Sequence, residues 1–180
     1  IFEMVGLENK VKLAIRDVLD FPRKGIVFKD ITTLLSNPKL NSKVLEAFND
    51  NAKDLNPDII VGIDSRGFLY GNSIAMSIGV PFVPVRKEGK LPHDSISVSY
   101  SLEYGKSVLE IHKNAIKPGD KVLIHDDLLA TGGTAMAAVK LIEELGGIVI
   151  GYSFVINLSF LSGANNLSKI SKNLFAIATY

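Results

Sequence analysis

The sequence predicts an α/β fold, a mainly parallel β-sheet flanked by helices with a small flap and hood region, and three observations carry that prediction. Strand-like apolar runs alternate with segments of helical spacing along most of the 180 residues. The run from Asp58 to Asp64 (DIIVGID) is continuously apolar between its acids, the pattern of a strand covered on both faces. The stretch Val122 to Ala135 (VLIHDDLLATGGTA) passes from an apolar strand through two acids and a glycine-rich turn into a helix, which opens a βαβ unit.

Taken in order, Leu7, Val11, Ile15, Val18 and Leu19 recur at helical spacing and predict an amphipathic helix over 7–19. Leu40, Val44, Leu45, Phe48 and Ala52 predict a second helix, broken by Asn56-Pro57. After the DIIVGID strand, Phe68 to Ile78 has helical spacing, and Pro81 to Arg86 suits another strand. Between Ser95 and Lys113 the pattern alternates through Ile96, Val98 and Tyr100, then Leu109 and Ile111. Turn residues Glu103 to Lys106 separate the halves, as in a hairpin or flap. Strand 121–125, helix 134–145, a stop at Gly146-Gly147 and strand 148–157 complete the βαβ unit, and 174–179 suits a last strand. Ligands of such sheets bind at the carboxyl ends of the strands. Asp64-Ser65-Arg66, Arg86-Lys87 and Asp126-Asp127 all fall at predicted strand ends, so the sequence directs charged groups to one place.

Composition narrows the class. With 47% hydrophobic residues the chain has enough apolar side chains for one globular domain with a sizeable core. No run approaches the roughly 18 apolar residues of a membrane span, and the first residues, IFEMVGLENK, lack the pattern of a secretory signal. Ile1 is not a natural start. The absence of cysteine excludes disulfides and thiolate metal sites and fits a cytoplasmic protein. A net charge of +1 with interspersed lysines and acids, and no basic block, gives nucleic acid no evident footing.

The 122–135 stretch carries chemistry. Two carboxylates at a strand end, Asp126 and Asp127, can accept hydrogen bonds from a vicinal diol. The turn Ala130, Thr131, Gly132, Gly133, Thr134 offers unpaired backbone N–H groups, two hydroxyls and the positive end of a helix dipole to a phosphate. Together they suit a ribose 5-phosphate. A Walker loop is excluded, because no Lys follows Gly132-Gly133, and the G-x-G-x-x-G spacing of a dinucleotide site is absent. Arg86, Lys87 and Lys90 place three cations within five residues directly after a predicted core strand. Arg66 is either a surface cation paired with Asp64 or an anion ligand. Phe28 is either core packing or a stacking face.

Four segments in the same order resemble those of the type I phosphoribosyltransferases: Asp20 to Thr32 (DFPRKGIVFKDIT), Gly62 to Gly71 (GIDSRGFLYG), Pro84 to Pro92 with Ser99 to Lys106, and the 126–134 loop. The LLATGGT form is similar to that of the family's adenine-specific branch. The resemblance implies one phosphoribosyltransferase domain over 1–180, with a hood and base-pocket segment at about 1–35 and a flap at about 90–112. It implies transfer of the phosphoribosyl group of 5-phosphoribosyl-1-pyrophosphate (PRPP) to N9 of adenine, giving AMP and pyrophosphate in purine salvage. Magnesium would arrive with PRPP, and the protein would be a cytoplasmic homodimer whose Arg86, Lys87 and Lys90 can reach a neighbouring subunit's site. No membrane or nucleic-acid partner is implied.

By the same resemblance, Asp126 and Asp127 hold the ribose and stabilise its developing positive charge, and residues 130–134 hold the 5′-phosphate. Asp64, Ser65 and Arg66 face the pyrophosphate. The Val27 carbonyl and Lys29 N–H read adenine beside Phe28. Glu103, on the flap with Tyr104, assists proton movement at the base. Three positions depart from the usual pattern. Lys29 stands for an Arg, Lys24 for a Pro, and His125 for an apolar residue, its ring directed into the flank of the sheet or across an interface. Two other readings stay open: a sister enzyme acting on hypoxanthine, guanine, xanthine or orotate, and a non-catalytic regulator that senses PRPP or a nucleotide while binding nucleic acid.

Overall fold

The computed structural model describes residues 2–102 and 105–180. Its elements follow in the order α1 (Phe2–Ala14), β1 (Arg16–Leu19), β2 (Val27–Asp30), α2 (Thr32–Leu35), α3 (Pro38–Leu55), β3 (Ile59–Ile63), α4 (Gly67–Ile78), β4 (Phe82–Lys87), β5 (Ser95–Leu102), β6 (Gly105–His112), β7 (Lys121–Leu129), α5 (Gly133–Glu144), β8 (Ile148–Asn157), α6 (Gly163–Leu167) and β9 (Leu174–Thr179). A seven-stranded sheet has the order β5-β6-β4-β3-β7-β8-β9, and β1 and β2 form a separate antiparallel pair. Strands β4, β3, β7, β8 and β9 run parallel, whereas β6 runs against β4 and β5 against β6.

Strand alternation sets the layers. Ile59, Val61 and Ile63 of β3 pack with Val122 and Ile124 of β7 beneath α5, and Ile60 and Leu123 face Val44, Phe48, Tyr70 and Ile74 of α3 and α4. Both faces of the central strands are covered, which is why their sequences read as unbroken apolar runs. Helix α3 begins on Asn37, whose side chain accepts from Leu40 N–H at 3.2 Å, with Pro38 in the first turn. Its Leu40, Val44, Phe48 and Ala52 recur every fourth residue and are all buried.

Two predicted boundaries shift. The helix expected over 7–19 stops at Ala14, and Val18 and Leu19 belong to β1. Cross-strand ion pairs outweigh helical periodicity there: Arg16 reaches Asp30 at 2.6 Å and Lys29 reaches Asp17 at 2.7 Å across the β1–β2 ladder. The strand expected over 121–125 continues to Leu129, because Asp126, Leu128 and Leu129 pair with Phe154, Ile156 and Asn157 of β8. The two acids therefore sit within a strand rather than on a loose turn.

His125 lies in the flank of the sheet. It is fully buried, with Nδ1 2.8 Å from Ser153 Oγ and the ring edge-on to Phe48 at 4.9 Å. Its Nε2 finds no partner among the described residues. Burial holds the imidazole neutral and pulls its pKa down to about 3, from a usual value near 6.5. Between those values the unfolded chain binds a proton that the folded chain refuses, so stability rises with pH through that window and falls on acidification. Each pH unit inside it is worth up to about 1.4 kcal/mol. Urea unfolding measured from about pH 4 to 7 should show stability rising more with pH in the native chain than in His125→Leu, a difference that cancels the opposite contribution of any carboxylate with a raised pKa; equal slopes would clear His125 of the effect.

Candidate active site

Three adjacent strands deliver the charged groups. Asp64 and Ser65 follow β3, Arg66 caps α4, Arg86 and Lys87 end β4, and Asp126 and Asp127 lie in the second half of β7. Because β3 sits between β4 and β7 and runs parallel to both, all three sets rise from the same end of the sheet.

The α4 start is pressed against β7. A Cβ on Gly67 would stand 2.8 Å from the His125 carbonyl oxygen and 3.1 Å from Asp126 Cα, closer than real side chains approach, so only glycine fits. That contact puts Arg66 beside the acids. Its Nε lies 2.9 Å from Asp127 Oδ2 without aligning an N–H on that oxygen, which makes the contact an ion pair rather than a hydrogen bond. The same guanidinium stands 4.8 Å from the centre of the Phe28 ring. Arg66 is therefore not the partner of Asp64. That carboxylate pairs with Arg86 Nε at 3.2 Å, and Arg86 also donates to the Lys90 carbonyl at 2.9 Å. Lys87 and Lys90 are exposed.

Asp126 and Asp127 are tightly coupled. Asp126 Oδ1 accepts the Asp127 N–H at 2.8 Å. Burial raises the pKa of both; the Asp127 charge raises Asp126 further, whereas Arg66 opposes the rise at Asp127. A cation placed against this pair would lower both values and be held strongly in return.

Beyond the acids, Gly132 adopts φ 82° and caps α5 with no side-chain hydrogen bond. The first N–H groups of α5 therefore lack partners within the helix. Two residues that sequence reasoning missed support this turn. Asn166 Nδ2 donates to the Thr131 carbonyl at 3.2 Å, and a Cβ on Gly163 would collide with the Ala130 carbonyl oxygen. Both stand at α6, a five-residue helix whose sequence, GANNL, gives no periodic signal.

At the other side of the cleft, β2 presents an edge. Phe21 N–H donates to the Ile26 carbonyl at 3.3 Å, so Ile26 and, two residues on, Phe28 turn their backbone groups toward β1. Val27 and Lys29 turn theirs to the opposite edge, which pairs with no strand among the described residues. A carbonyl and an N–H two residues apart on one free edge match a ligand edge that offers a donor beside an acceptor. Asp30 closes this strand, accepting from Arg16, Thr32 N–H and Thr32 Oγ1, with its pKa lowered to about 2 by Arg16 first and then Thr32.

Glu103 and Tyr104 lie outside the described residues. The strands before and after them, β5 and β6, are described. β6 runs against β4 with Lys87 opposite Leu109, so its beginning at Gly105 stands beyond the carboxyl end of β4, over the same end of the sheet. A separate concavity of about 690 Å³ between α1 and α3, lined by Lys10, Lys43, Glu46 and Asp50 among others, contains none of the predicted site residues.

The phosphoribosyl transferase domain model matches residues 30–172. The adenine phosphoribosyltransferase of Cytophaga hutchinsonii is 47% identical over 174 residues, 97% of this chain and 96% of that one. The crystal structure of adenine phosphoribosyltransferase from Thermoanaerobacter pseudethanolicus superposes with a TM-score of 0.91 at 44% identity, covering 96% of this chain and 99% of that one. The Saccharomyces cerevisiae enzyme, complexed with D-2,5-dideoxy-2,5-imino-altritol 1,6-bisphosphate and adenine, gives 0.88 at 41% identity, with coverage of 96% and 99%. With strand tips, glycine-rich turn and free β2 edge arranged in this way, the chain belongs to the phosphoribosyltransferases, in their adenine phosphoribosyltransferase branch.

Proposed function

We propose that this chain transfers the 5-phosphoribosyl group of PRPP to N9 of adenine, releasing pyrophosphate and forming AMP in purine salvage. One observation carries the reading. Arg66 touches both Asp127 of the acid pair and Phe28 of the free β2 edge, and the α5 turn follows the same strand as the acids, so groups suited to a pentose, its phosphate and a base stand at one end of the sheet.

Asp126 and Asp127 accept from the ribose hydroxyls and face the positive charge that builds on the ring as the bond to pyrophosphate stretches. Ala130, Thr131, Gly132, Gly133 and Thr134 take the 5′-phosphate at the start of α5. Asp64, Ser65 and Arg66 face the pyrophosphate, with Arg86, Lys87 and Lys90 supplying charge in place before the bond breaks. Arg66 is shared. When it turns from Asp127 to the leaving group, Asp127 loses its neutralising partner just as the ring becomes cationic. The Val27 carbonyl accepts the 6-amino hydrogen, the Lys29 N–H donates to N1, and Phe28 stacks on the purine. Glu103 and Tyr104 close with the flap and exclude water that would hydrolyse the activated sugar. Positioning and electrostatics do the work, with no covalent intermediate.

Magnesium fits as a companion of PRPP. No cluster of three or more ligating His, Cys, Asp or Glu side chains occurs among the described residues, so the ion would be held mainly by substrate oxygens and water, with Asp126 and Asp127 orienting the waters. It would neutralise charge on the leaving pyrophosphate. We further read the chain as one domain with a hood over about 1–35 and a flap over about 90–112, cytoplasmic, and paired as a homodimer. No described helix is long and apolar enough to cross a membrane. Leu69 and Met76, seven residues apart and therefore on one face of α4, are 47% and 75% exposed and suit a subunit contact.

A panel of bases tests the reading first. Adenine should exceed hypoxanthine in kcat/KM by roughly 10⁴-fold, because the 6-oxo group opposes the Val27 carbonyl and N1–H opposes the Lys29 N–H; greater activity on hypoxanthine would overturn the adenine assignment. Changing Asp126 and Asp127 together to Asn should cut turnover by at least about 100-fold while shifting the thermal midpoint only slightly. Near-normal turnover in that double variant removes the ribose clamp. Gly163→Ala, by pushing on the Ala130 carbonyl, should raise KM for PRPP roughly 10-fold; an unchanged KM would show that α6 does not set the turn.

A further inference from the structure

The base-reading edge belongs to a two-stranded ribbon, and such ribbons are marginal by themselves in water. No residue of β1 or β2 belongs to either hydrophobic core cluster; Ile15 and Ile31, just outside the ribbon, do. Something other than apolar packing must therefore hold the middle of β2 at a fixed height over the cleft. Among the described residues, two ring–cation contacts carry the midpoint of β2 to the body of the protein. One is Phe28 against Arg66, already part of the site. The other is Lys29 against Tyr180.

Tyr180 follows β9 and is anchored by its backbone. Its N–H donates to the Asn157 carbonyl at 2.9 Å, and its carbonyl oxygen accepts from Ser159 N–H at 2.8 Å and Ser159 Oγ at 2.7 Å. The Lys29 ammonium lies 4.1 Å from the centre of its ring, and both oxygens of Asp17 accept from that ammonium at 2.7 and 2.9 Å. A second lysine, Lys12 of α1, stands 5.3 Å from the same ring and pairs with Glu8 at 2.9 Å. Glu8 in turn accepts the Thr179 N–H at 3.0 Å. One aromatic ring thus gathers cations from α1 and β2 onto the end of the main sheet. The Lys29 side chain is only 13% exposed, so its contact with the ring is sheltered from water, where a cation–π interaction is stronger.

We propose that Tyr180 is a positioning residue for the base: through the Lys29 side chain its ring sets where the Val27 carbonyl and Lys29 N–H stand, and so tunes adenine affinity and discrimination without touching the ligand. This rests on the reading of β2 as the adenine edge. The departure at position 29, Lys in place of Arg, acquires a role here, because the compact ammonium caps the ring while Asp17 holds it.

Steady-state kinetics on the full chain test this with Tyr180→Phe and Tyr180→Leu. Tyr180→Phe keeps the ring and should match the native chain. Tyr180→Leu should raise KM for adenine roughly 10-fold and lower the adenine-over-hypoxanthine ratio, with KM for PRPP and kcat nearly unchanged. Adding Lys29→Met to Tyr180→Leu should cost little more, since both act through one contact. An unchanged KM for adenine in Tyr180→Leu overturns the proposal. So does a uniform loss across adenine, PRPP and the thermal midpoint, which marks a merely structural residue. If the native chain itself fails to use adenine, it is the functional assignment that falls, and the two failures are told apart.

Discussion

Two neighbouring carboxylates, Asp127 buried and Asp126 part-buried, are the constraint on which the rest of the site depends. Burial opposes their charge, and each opposes the other's. An uncompensated buried charge costs several kcal/mol, so the surroundings must supply just enough positive potential to keep the pair anionic without quenching it. Arg66 supplies it for Asp127 and a backbone N–H for Asp126. Arg66 can do so only because α4 starts hard against β7, and that approach is possible only where residue 67 has no side chain. A bulkier residue there would move the helix start and carry the guanidinium away from the acids.

The sheet order translates this local arrangement into a site. Neighbouring strands stand about 4.8 Å apart, so loops leaving β4, β3 and β7 span roughly 10 Å, close enough for one small ligand to touch all three. The antiparallel β5–β6 hairpin extends the same side of the sheet past its carboxyl end, and the β1–β2 ribbon approaches from the opposite side through Phe28 and Arg66. This end of the sheet is thus built from elements of different kinds: strand tips of the core, an edge hairpin, and a ribbon whose residues lie outside both core clusters.

Most of this was legible in the sequence where periodicity and chemistry agree. The β3 run Ile59–Ile63 is apolar throughout because α5 covers one face and α3 and α4 the other. The α3 stripe is a plain four-residue repeat. What stayed hidden depends on partners distant in the chain. Val18 and Leu19 continue a helical spacing, yet they lie in β1 because Asp17 and Arg16 find Lys29 and Asp30 across a ladder. Asp126 and Asp127 look like the start of a loop, and only pairing with β8 keeps them in a strand. Arg66 suggested an ion pair with the nearby Asp64, whereas the fold gives that acid to Arg86 and sends Arg66 to Asp127. Gly163 and Asn166 have no sequence signal, since their importance comes from abutting the Ala130 and Thr131 carbonyls.

The ribbon's separation from both core clusters has an evolutionary meaning. On the proposed reading, residues that select the heterocycle sit on an appendage outside the core clusters, whereas those that activate the sugar lie at the ends of central strands. Drift in the appendage costs the folded core little, so a lineage can explore new nucleobases while its glycosyl chemistry stays intact. A change of ligand preference over an unchanged sugar-binding centre is what such a division of labour permits.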